Sequence, residues 1–208
     1  MTSNKKIKTV AFDLGNVLAT QDISHLDVRE LALLKAYLNR FNLERVSKEA
    51  LKAGSNNPSL FLKEAEASID TIYPKIHLMS DEGFKALQMV REMGLQPSIW
   101  TNNIWAIYRW FESIGLYDYV NPQHICNSIA MGYGNLNKPD IKFYKLALEQ
   151  LKKDAKEVLF IDDAIENVAA GLGYGIPSMY FSLSDKRMDN KNLSEIASEA
   201  VDKINRSR

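Results

Sequence analysis

The chain has 208 residues, of which 26 are Lys or Arg, 26 are Asp or Glu and 46% are hydrophobic. Its zero formal net charge and lack of a long basic tract argue against a nucleic-acid partner. No apolar run is long enough to cross a membrane. The apolar run near the start ends at Asp13 without a cleavage-site pattern, so we do not expect a secretory signal.

Cysteine usage and length narrow the class of protein further. The single cysteine, Cys126, excludes an intramolecular disulfide and a multi-cysteine zinc site. The length is sufficient for one substantial hydrophobic core with a small appended domain. We therefore expect a cytoplasmic globular protein, and the sequence makes no prediction of its oligomeric state.

The first third of the chain predicts one strand followed by helices. The β-branched and aromatic run Lys8–Phe12 is typical of a buried strand that enters a loop at Asp13. Ser24 and Asp27 are expected to cap the helix that follows. The predicted helices of this stretch, which ends near Pro74, are Ser24–Phe41, Ser47–Ala53 and Ser59–Ala67.

After residue 79, strands and helices alternate. The predicted helices are Ser80–Met93, Ile104–Ile114, Ile141–Leu151, Asn167–Leu172 and Leu193–Ile204. The predicted strands are Pro97–Trp100, His124–Cys126, Val158–Ile161 and Ser178–Phe181. This alternation favours an α/β fold with a mostly parallel sheet covered by helices on both faces. We predict a core from residues 1–19 and 79–208 and an inserted helical cap from residues 20–78.

Polar residues follow several of the predicted strands, where ligands of open α/β sheets bind. They are Asp13, Thr101 and the pair Asp162 and Asp163, while Lys138 precedes a helix. A carboxylate can be a nucleophile at neutral pH, and Mg²⁺ can offset its repulsion from a phosphate dianion. A hydroxyl and a lysine can bind the transferring oxygens. The residue types therefore indicate phosphoryl transfer through a covalent intermediate.

Four segments carry a family resemblance. They are VAFDLGNVL (Val10–Leu18), SIWTNN (Ser98–Asn103), NKPDIKFY (Asn137–Tyr144) and VLFIDDAIEN (Val158–Asn167). In this order they resemble the four motifs of the haloacid dehalogenase (HAD) superfamily, which implies a three-layer Rossmann-like core. The DLGNV form resembles a bacterial branch that includes a sugar-1-phosphate phosphatase. The resemblance implies a Mg²⁺-dependent phosphatase of a small organic phosphomonoester, with a sugar phosphate as one candidate substrate.

The resemblance also implies catalytic roles for Asp13, Thr101 and Lys138 and a substrate-binding role for Asn102. Asp13 would be the nucleophile that forms an aspartyl-phosphate. Thr101 and the backbone N–H of Asn102 would bind the phosphoryl oxygens. Lys138 would neutralise the nucleophile and the phosphate, although the loop before it, Met131–Asn137, is longer than usual for the family.

A Mg²⁺ ion is the cofactor that the resemblance implies. Besides Asp13, the backbone carbonyl of Gly15 and the side chains of Asp162 and Asp163 would hold it, directly or through water. Asn167 would support these ligands.

Gly15 is also the main departure from the family pattern. Most family phosphatases have a second Asp at this position, which acts as general acid and base, a contribution of roughly 10²- to 10⁴-fold. Its absence should slow the hydrolysis of esters of poorly acidic alcohols. His25 in the predicted cap is a candidate replacement.

Two other functions are compatible with the same motifs. In a 2-haloacid dehalogenase, Asp13 would attack carbon and displace a halide, which needs no protonation and no metal. Such an enzyme usually lacks the acidic pair seen at Asp162 and Asp163. A non-catalytic HAD-like protein would bind a phosphoester or a protein partner without turnover.

Several other residues have a simpler structural interpretation. Thr101 is expected to cap the helix that begins near Ile104, as well as to bind phosphate. We expect His77 and His124 to be ordinary surface or semi-buried histidines, and Cys126 to be a small buried hydrophobic residue. Trp105 is expected to pack rather than to face the substrate.

Overall fold

The computed structural model describes residues 6–128, 136–185 and 192–207. The chain forms two compact units. The first contains residues Met1–Thr20, Met79–Trp105 and Gly115–Arg208, and the second contains Gln21–Leu78 and Ala106–Ile114. Within the described ranges, no helix is both long and apolar enough to cross a membrane.

The strands and helices are numbered along the chain. The strands are β1 (Thr9–Phe12), β2 (Ala19–Gln21), β3 (His77–Met79), β4 (Gln96–Thr101), β5 (Ile125–Asn127), β6 (Val158–Asp162) and β7 (Ser178–Tyr180). The α-helices are α1 (Val28–Leu38), α2 (Leu43–Lys52), α3 (Pro58–Lys75), α4 (Asp81–Glu92), α5 (Ile107–Ser113), α6 (Ile141–Leu151), α7 (Ile165–Gly173) and α8 (Leu193–Arg206). Short 3₁₀ turns occur at Leu116–Asp118, Pro122–His124 and Ala155–Glu157.

The first unit is built on a five-stranded parallel sheet with the order β5-β4-β1-β6-β7. All four residues of the central strand β1 are buried, as expected for a strand covered on both faces. In the sheet register, Phe12 lies opposite Ile99 on one side and Ile161 on the other. The predicted α/β, Rossmann-like fold with helices on both sides of the sheet is confirmed.

One face of this sheet packs against α6. Successive side chains of a strand point to opposite faces, so Ala11, Trp100 and Phe160 share a face with Cys126. They form one buried cluster with α6 residues such as Tyr144. Cys126 is fully buried, as predicted, and its burial raises the pKa of the thiol above its ordinary value.

The second unit contains α1, α2, α3 and α5, and its helix boundaries differ from the predicted ones. α1 begins at Val28, because Asp27 and Glu30 form a reciprocal capping box. The predicted capping pair of Ser24 and Asp27 is therefore wrong.

The other helix boundaries are set by asparagine caps. α2 begins at Leu43 and α3 at Pro58, because the side chains of Asn42 and Asn57 each accept a hydrogen bond from the backbone N–H of the third residue of the helix. α3 also continues through Pro74 to Lys75, well beyond the predicted end at Ala67.

Two strands were not predicted. β2 and β3 pair with each other in a two-stranded sheet. Each has only three residues, too few for a period-two pattern to emerge from the sequence. The assignment of residues 20–78 to a cap domain stays a prediction.

Candidate active site

The predicted site residues of the first unit meet at the carboxyl edge of the sheet. Asp13 directly follows β1, and its N–H donates to the Ile161 carbonyl oxygen (2.8 Å). Thr101 and Asp162 are the last residues of β4 and β6, rather than the first residues after these strands. Because β4 and β6 flank β1 in parallel, the three side chains emerge at the same edge of the sheet.

Lys138 joins two of these carboxylates. Its Nζ donates to Asp13 Oδ1 at 2.5 Å and to Asp162 Oδ2 at 2.6 Å, and its side chain is 1% exposed. A buried ammonium is tolerated where its charge is paired and its hydrogens are bonded, as they are here. Residues 131–135 of the preceding loop lie outside the described residues, but Lys138 reaches the site.

The backbone of Lys138 is held by the side chain of Asn102. Asn102 Oδ1 accepts from the Lys138 N–H (2.9 Å), and Asn102 Nδ2 donates to the Lys138 carbonyl oxygen (3.1 Å). These two bonds fix a residue 36 positions away in the chain. From the sequence, Asn102 was expected to contribute only its backbone N–H. No local sequence pattern predicts this contact of its side chain.

A cluster of carboxylates lies beside the lysine. Asp13, Asp162 and Asp163 each place one oxygen within 4.8 Å of the others. Asp162 Oδ1 accepts from the Ala164 N–H (2.8 Å) and from Asn167 Nδ2 (2.9 Å), so Asn167 lies where it can orient this carboxylate. Three carboxylates against one ammonium leave an excess of negative charge, and an all-oxygen donor set suits a hard cation such as Mg²⁺.

The electrostatics of Asp13 reflect its burial. Loss of solvation raises the pKa of its carboxyl from 3.8 to about 6, and the neighbouring charge of Asp162 acts in the same direction. The Lys138 ammonium opposes both effects. Because this pKa lies below 7, most Asp13 carboxyls are still ionised at neutral pH when no cation is bound.

The hydroxyl of Thr101 is oriented by a neighbour. Thr101 is buried, and Asn103 Nδ2 donates to its Oγ1 at 2.6 Å. Because the oxygen accepts this bond, the hydroxyl hydrogen can be donated to another acceptor. The prediction that Thr101 caps the next helix is wrong, since α5 begins at Ile107 and has no side-chain cap.

Gly15 leaves a small space beside the Asp13 carboxylate. A Cβ built there would lie 3.7 Å from Asp13 Oδ2, which is an ordinary contact distance. A side chain at this position would therefore border the Asp13 carboxylate. The structure shows no steric reason for glycine at this position.

Asn16, Ser182 and Ser184 form a polar group next to the site that sequence reasoning missed. Asn16 Nδ2 donates to Asp163 Oδ2 (2.9 Å), Ser182 Oγ (2.7 Å) and Ser184 Oγ (3.0 Å). Asn16 belongs to the DLGNV segment, and the serines follow β7 at the same sheet edge. In the sequence, only their positions at strand ends could have indicated that these residues belong to the site.

The remaining candidates have structural roles. His77 is 3% exposed; its ring bonds to the Tyr73 carbonyl oxygen, and burial lowers its pKa. His124 is partly buried with a lowered pKa, as expected, whereas His77 is more deeply buried than the surface or semi-buried position predicted for it. His25 is exposed in the second unit. The expectation that Trp105 packs in the interior is wrong, since it is 57% exposed.

Comparison with known proteins identifies the family. A family model described as a haloacid dehalogenase-like hydrolase matches residues 7–175. The chain belongs to this family. The family resemblance predicted from the four motifs is thus confirmed, and the protein is a HAD-like hydrolase.

Individual relatives cover less of the chain or are more distant. The sesquiterpene phosphatase astK of Aspergillus oryzae (strain ATCC 42149 / RIB 40) is 36% identical over 53 residues, which span 26% of this chain and 27% of that protein. The chain thus matches only about a quarter of the length of this curated relative.

Two solved structures resemble this chain over most of its length. One is a HAD family enzyme, bt-2542, of Bacteroides thetaiotaomicron in complex with magnesium and inorganic phosphate (TM-score 0.59, 19% identity, 88% of this chain and 98% of that one). The other is a 2-haloacid dehalogenase of Pseudomonas syringae pv. Tomato DC3000 (TM-score 0.63, 17% identity, 95% and 99%). At these identities the likeness shows the fold alone.

Proposed function

We propose that this HAD-like hydrolase is a Mg²⁺-dependent phosphatase, which hydrolyses a small organic phosphomonoester through an aspartyl-phosphate on Asp13. The observation that carries the proposal is the buried Lys138 ammonium, which bridges Asp13 and Asp162 beside Asp163. This arrangement supports the proposal, because the proposed nucleophile, a cation for phosphoryl oxygens and oxygen donors for a metal would then share one sheet edge.

The donor set fits magnesium. Asp13, Asp162 and Asp163 would hold the ion, with the Gly15 carbonyl as a further proposed ligand. When bound, Mg²⁺ would offset the repulsion between the Asp13 carboxylate and a phosphate dianion. The solved relative that contains magnesium and inorganic phosphate supports this part of the proposal.

In the first half-reaction, an oxygen of Asp13 forms a bond to phosphorus and the bond between phosphorus and the leaving oxygen breaks. Lys138 lies 2.5 Å from Asp13 Oδ1, where its charge can bind the phosphoryl oxygens as they approach. The Thr101 hydroxyl, held by Asn103, and the Asn102 N–H would donate to the same oxygens. The leaving oxygen takes a proton from water or from an acidic group.

In the second half-reaction, a water oxygen forms a bond to phosphorus, the bond between phosphorus and the Asp13 oxygen breaks, and the water gives up a proton to solvent. Inorganic phosphate and the free Asp13 carboxylate are released. Gly15 supplies no acid or base for either half-reaction. Substrates with good leaving groups, such as phenols, acyl phosphates and anomeric sugar hydroxyls, should therefore react fastest. A sugar phosphate stays our candidate substrate class, and the terpene substrate in the name of the Aspergillus relative adds a second one to the screen.

The carboxylate cluster favours a phosphatase over the alternatives. A dehalogenase would use Asp13 without a metal, and three carboxylates within 4.8 Å would then repel one another to no purpose. A non-catalytic binding protein would have no need to keep the buried nucleophile ionised with Lys138. A cytoplasmic location belongs to the same proposal and is consistent with the single cysteine.

Hydrolysis of p-nitrophenyl phosphate tests the proposal, because its acidic leaving group needs no general acid. We expect turnover with Mg²⁺, loss of turnover in EDTA, and a loss of at least about 10³-fold in the Asp13→Asn variant. Asp202→Asn is the matched control, since it makes the same chemical change at an exposed carboxylate that pairs only weakly with Arg206. It should retain wild-type activity.

Two outcomes would contradict the proposal. Activity of Asp13→Asn within about tenfold of the wild type would exclude Asp13 as the nucleophile. A folded wild-type protein that is inactive here but releases halide from 2-haloacids in EDTA would be a dehalogenase. Once turnover is established, sugar 1-phosphates and prenyl phosphates are the substrates to compare first.

A further inference from the structure

Asn16 has an unusual backbone conformation. Its φ of 57° lies in the left-handed region, and among the described residues Lys152 is the other non-glycine residue with a positive φ. Asn tolerates this region better than most residues, because its short side chain bonds locally. Its N–H donates to the Ala19 carbonyl oxygen at 2.6 Å. The conformation turns the loop after β1 sharply, three residues beyond Asp13.

The side chain of Asn16 joins the loops that follow three strands. Its amide hydrogens are shared among Asp163 after β6 and two serines after β7, Ser182 and Ser184. In the opposite direction, Asn16 Oδ1 accepts from the Ser184 N–H (3.2 Å) and the Asn16 carbonyl oxygen accepts from the Leu183 N–H (2.7 Å). The amide nitrogen and the side-chain oxygen are thus both engaged by protein groups.

The carboxylates of the cluster have different partners. Asp13 and Asp162 are paired with the Lys138 ammonium, which offsets part of their charge. The bond that Asp163 Oδ2 accepts comes from a neutral amide at 2.9 Å. An amide donor fixes the direction of a carboxylate without cancelling its charge, so the Asn16 contact leaves the charge of Asp163 available to a cation.

We propose that Asn16 is a positioning residue for the metal site, which aims the Asp163 carboxylate at a divalent cation and ties the loop after β7 to the same edge. The inference rests on the proposed Mg²⁺ dependence. Asn16 does not itself bind the ion, since its polar atoms are committed to Asp163 and the serines. Loss of such an outer hydrogen bond typically weakens metal affinity or activity about 10- to 100-fold.

Two variants separate the amide from the backbone conformation. Asn16→Gly removes the side chain but allows a positive φ. Asn16→Asp keeps the shape but replaces the N–H donors with a carboxylate that faces Asp163. Lys152→Gly is the matched control, because it also removes a side chain from a left-handed residue, at the end of α6.

The readout is cation binding without substrate, by Mn²⁺ electron paramagnetic resonance and Mg²⁺ titration calorimetry. We expect the Kd to rise at least about tenfold in both Asn16 variants and to stay unchanged in Lys152→Gly. The Mg²⁺ concentration for half-maximal activity should rise in parallel, while kcat at saturating Mg²⁺ changes less than about threefold.

The outcomes distinguish this inference from the proposed function. If both folded Asn16 variants bound the cation with the same Kd as the wild type, the proposed role of Asn16 would be overturned. The phosphatase proposal would remain intact. A wild-type protein that binds no divalent cation would overturn the metal site itself, and with it this inference.

Discussion

Asp13 has to satisfy two opposing requirements. As the proposed nucleophile it must be ionised, yet it lies in a site where burial raises its pKa to about 6. Lys138 limits this rise but does not abolish it. Because Asp13 has its ordinary pKa of 3.8 in the unfolded chain, the folded metal-free protein binds this proton more tightly than the unfolded one.

This linkage predicts that the ionised Asp13 carboxylate destabilises the metal-free protein. A raised folded-state pKa means that wild-type stability falls as the pH rises from about 4 through about 6. Asn cannot ionise, and its oxygen can still accept from Lys138. In EDTA, Asp13→Asn should therefore be more stable than the wild type near pH 7.5, by up to about 3 kcal/mol.

Thermal unfolding of both proteins across this pH range measures the effect. The difference should shrink as the pH falls through 3.8 and vanish below about pH 3, where the wild-type carboxyl is protonated in both states. A wild type that is more stable than Asp13→Asn near pH 7.5 would show that the ion pair with Lys138 outweighs the cost of burial.

At the scale of elements, a glycine sets how closely α4 approaches the loop that follows β1. The Leu18 carbonyl oxygen accepts from both the N–H (3.0 Å) and the Oγ (2.8 Å) of Ser80, the N-cap of α4. A Cβ at Gly83 would overlap with this same oxygen. The start of α4 can therefore hold the loop that carries Asp13 only because residue 83 has no side chain.

We expect Gly83→Ala to destabilise the protein by about 2 kcal/mol, although alanine raises helix propensity by about 1 kcal/mol. Gly173→Ala is the matched control near the end of α7, where an added Cβ has no neighbour within 4 Å, and it should be neutral or stabilising. Urea denaturation gives both free energies of unfolding. If Gly83→Ala and Gly173→Ala had equal free energies of unfolding, α4 would be able to shift away from Leu18 at no cost in stability.

The elements also show what the sequence can and cannot predict. α6, Ile141–Leu151, has the predicted bounds, because Asp140 caps a helix whose apolar face is strongly periodic. α1 was misplaced because Ser24 and Asp27 can both act as caps, and the capping box between Asp27 and Glu30 decides between them. β2 and β3 have three residues each, and only their mutual pairing makes them strands.

At the scale of the whole molecule, the site was predictable where it depends on strand order and unpredictable where it depends on side-chain partners. Parallel strands end at one edge, so Asp13, Thr101 and Asp162 had to converge there. Lys138 was placed by its motif alone, since its contact with Asp13 joins residues 125 positions apart. Asn16 and Asp163 are 147 positions apart, and no local propensity encodes such a pair.

Metal binding should therefore stabilise the first unit as a whole, because its proposed ligands come from two strand ends of one sheet. A ligand that binds only the folded state adds about 2.7 kcal/mol at a concentration 100-fold above its Kd. For a chain of this size that amounts to a rise of about 5–10 °C in Tm. Trp100 lies in the core of this unit, so its fluorescence reports the transition.

The experiment uses a Trp105→Phe, Trp110→Phe variant, which keeps Trp100 as the single reporter. Its midpoint should rise on addition of saturating Mg²⁺ and return in EDTA. The same shift should be lost when Asp163→Ala is added, because one of the proposed carboxylate ligands is removed. A midpoint that rises equally with and without Asp163 would place the cation elsewhere in the molecule, and no rise at millimolar Mg²⁺ would contradict a metal site at this sheet edge.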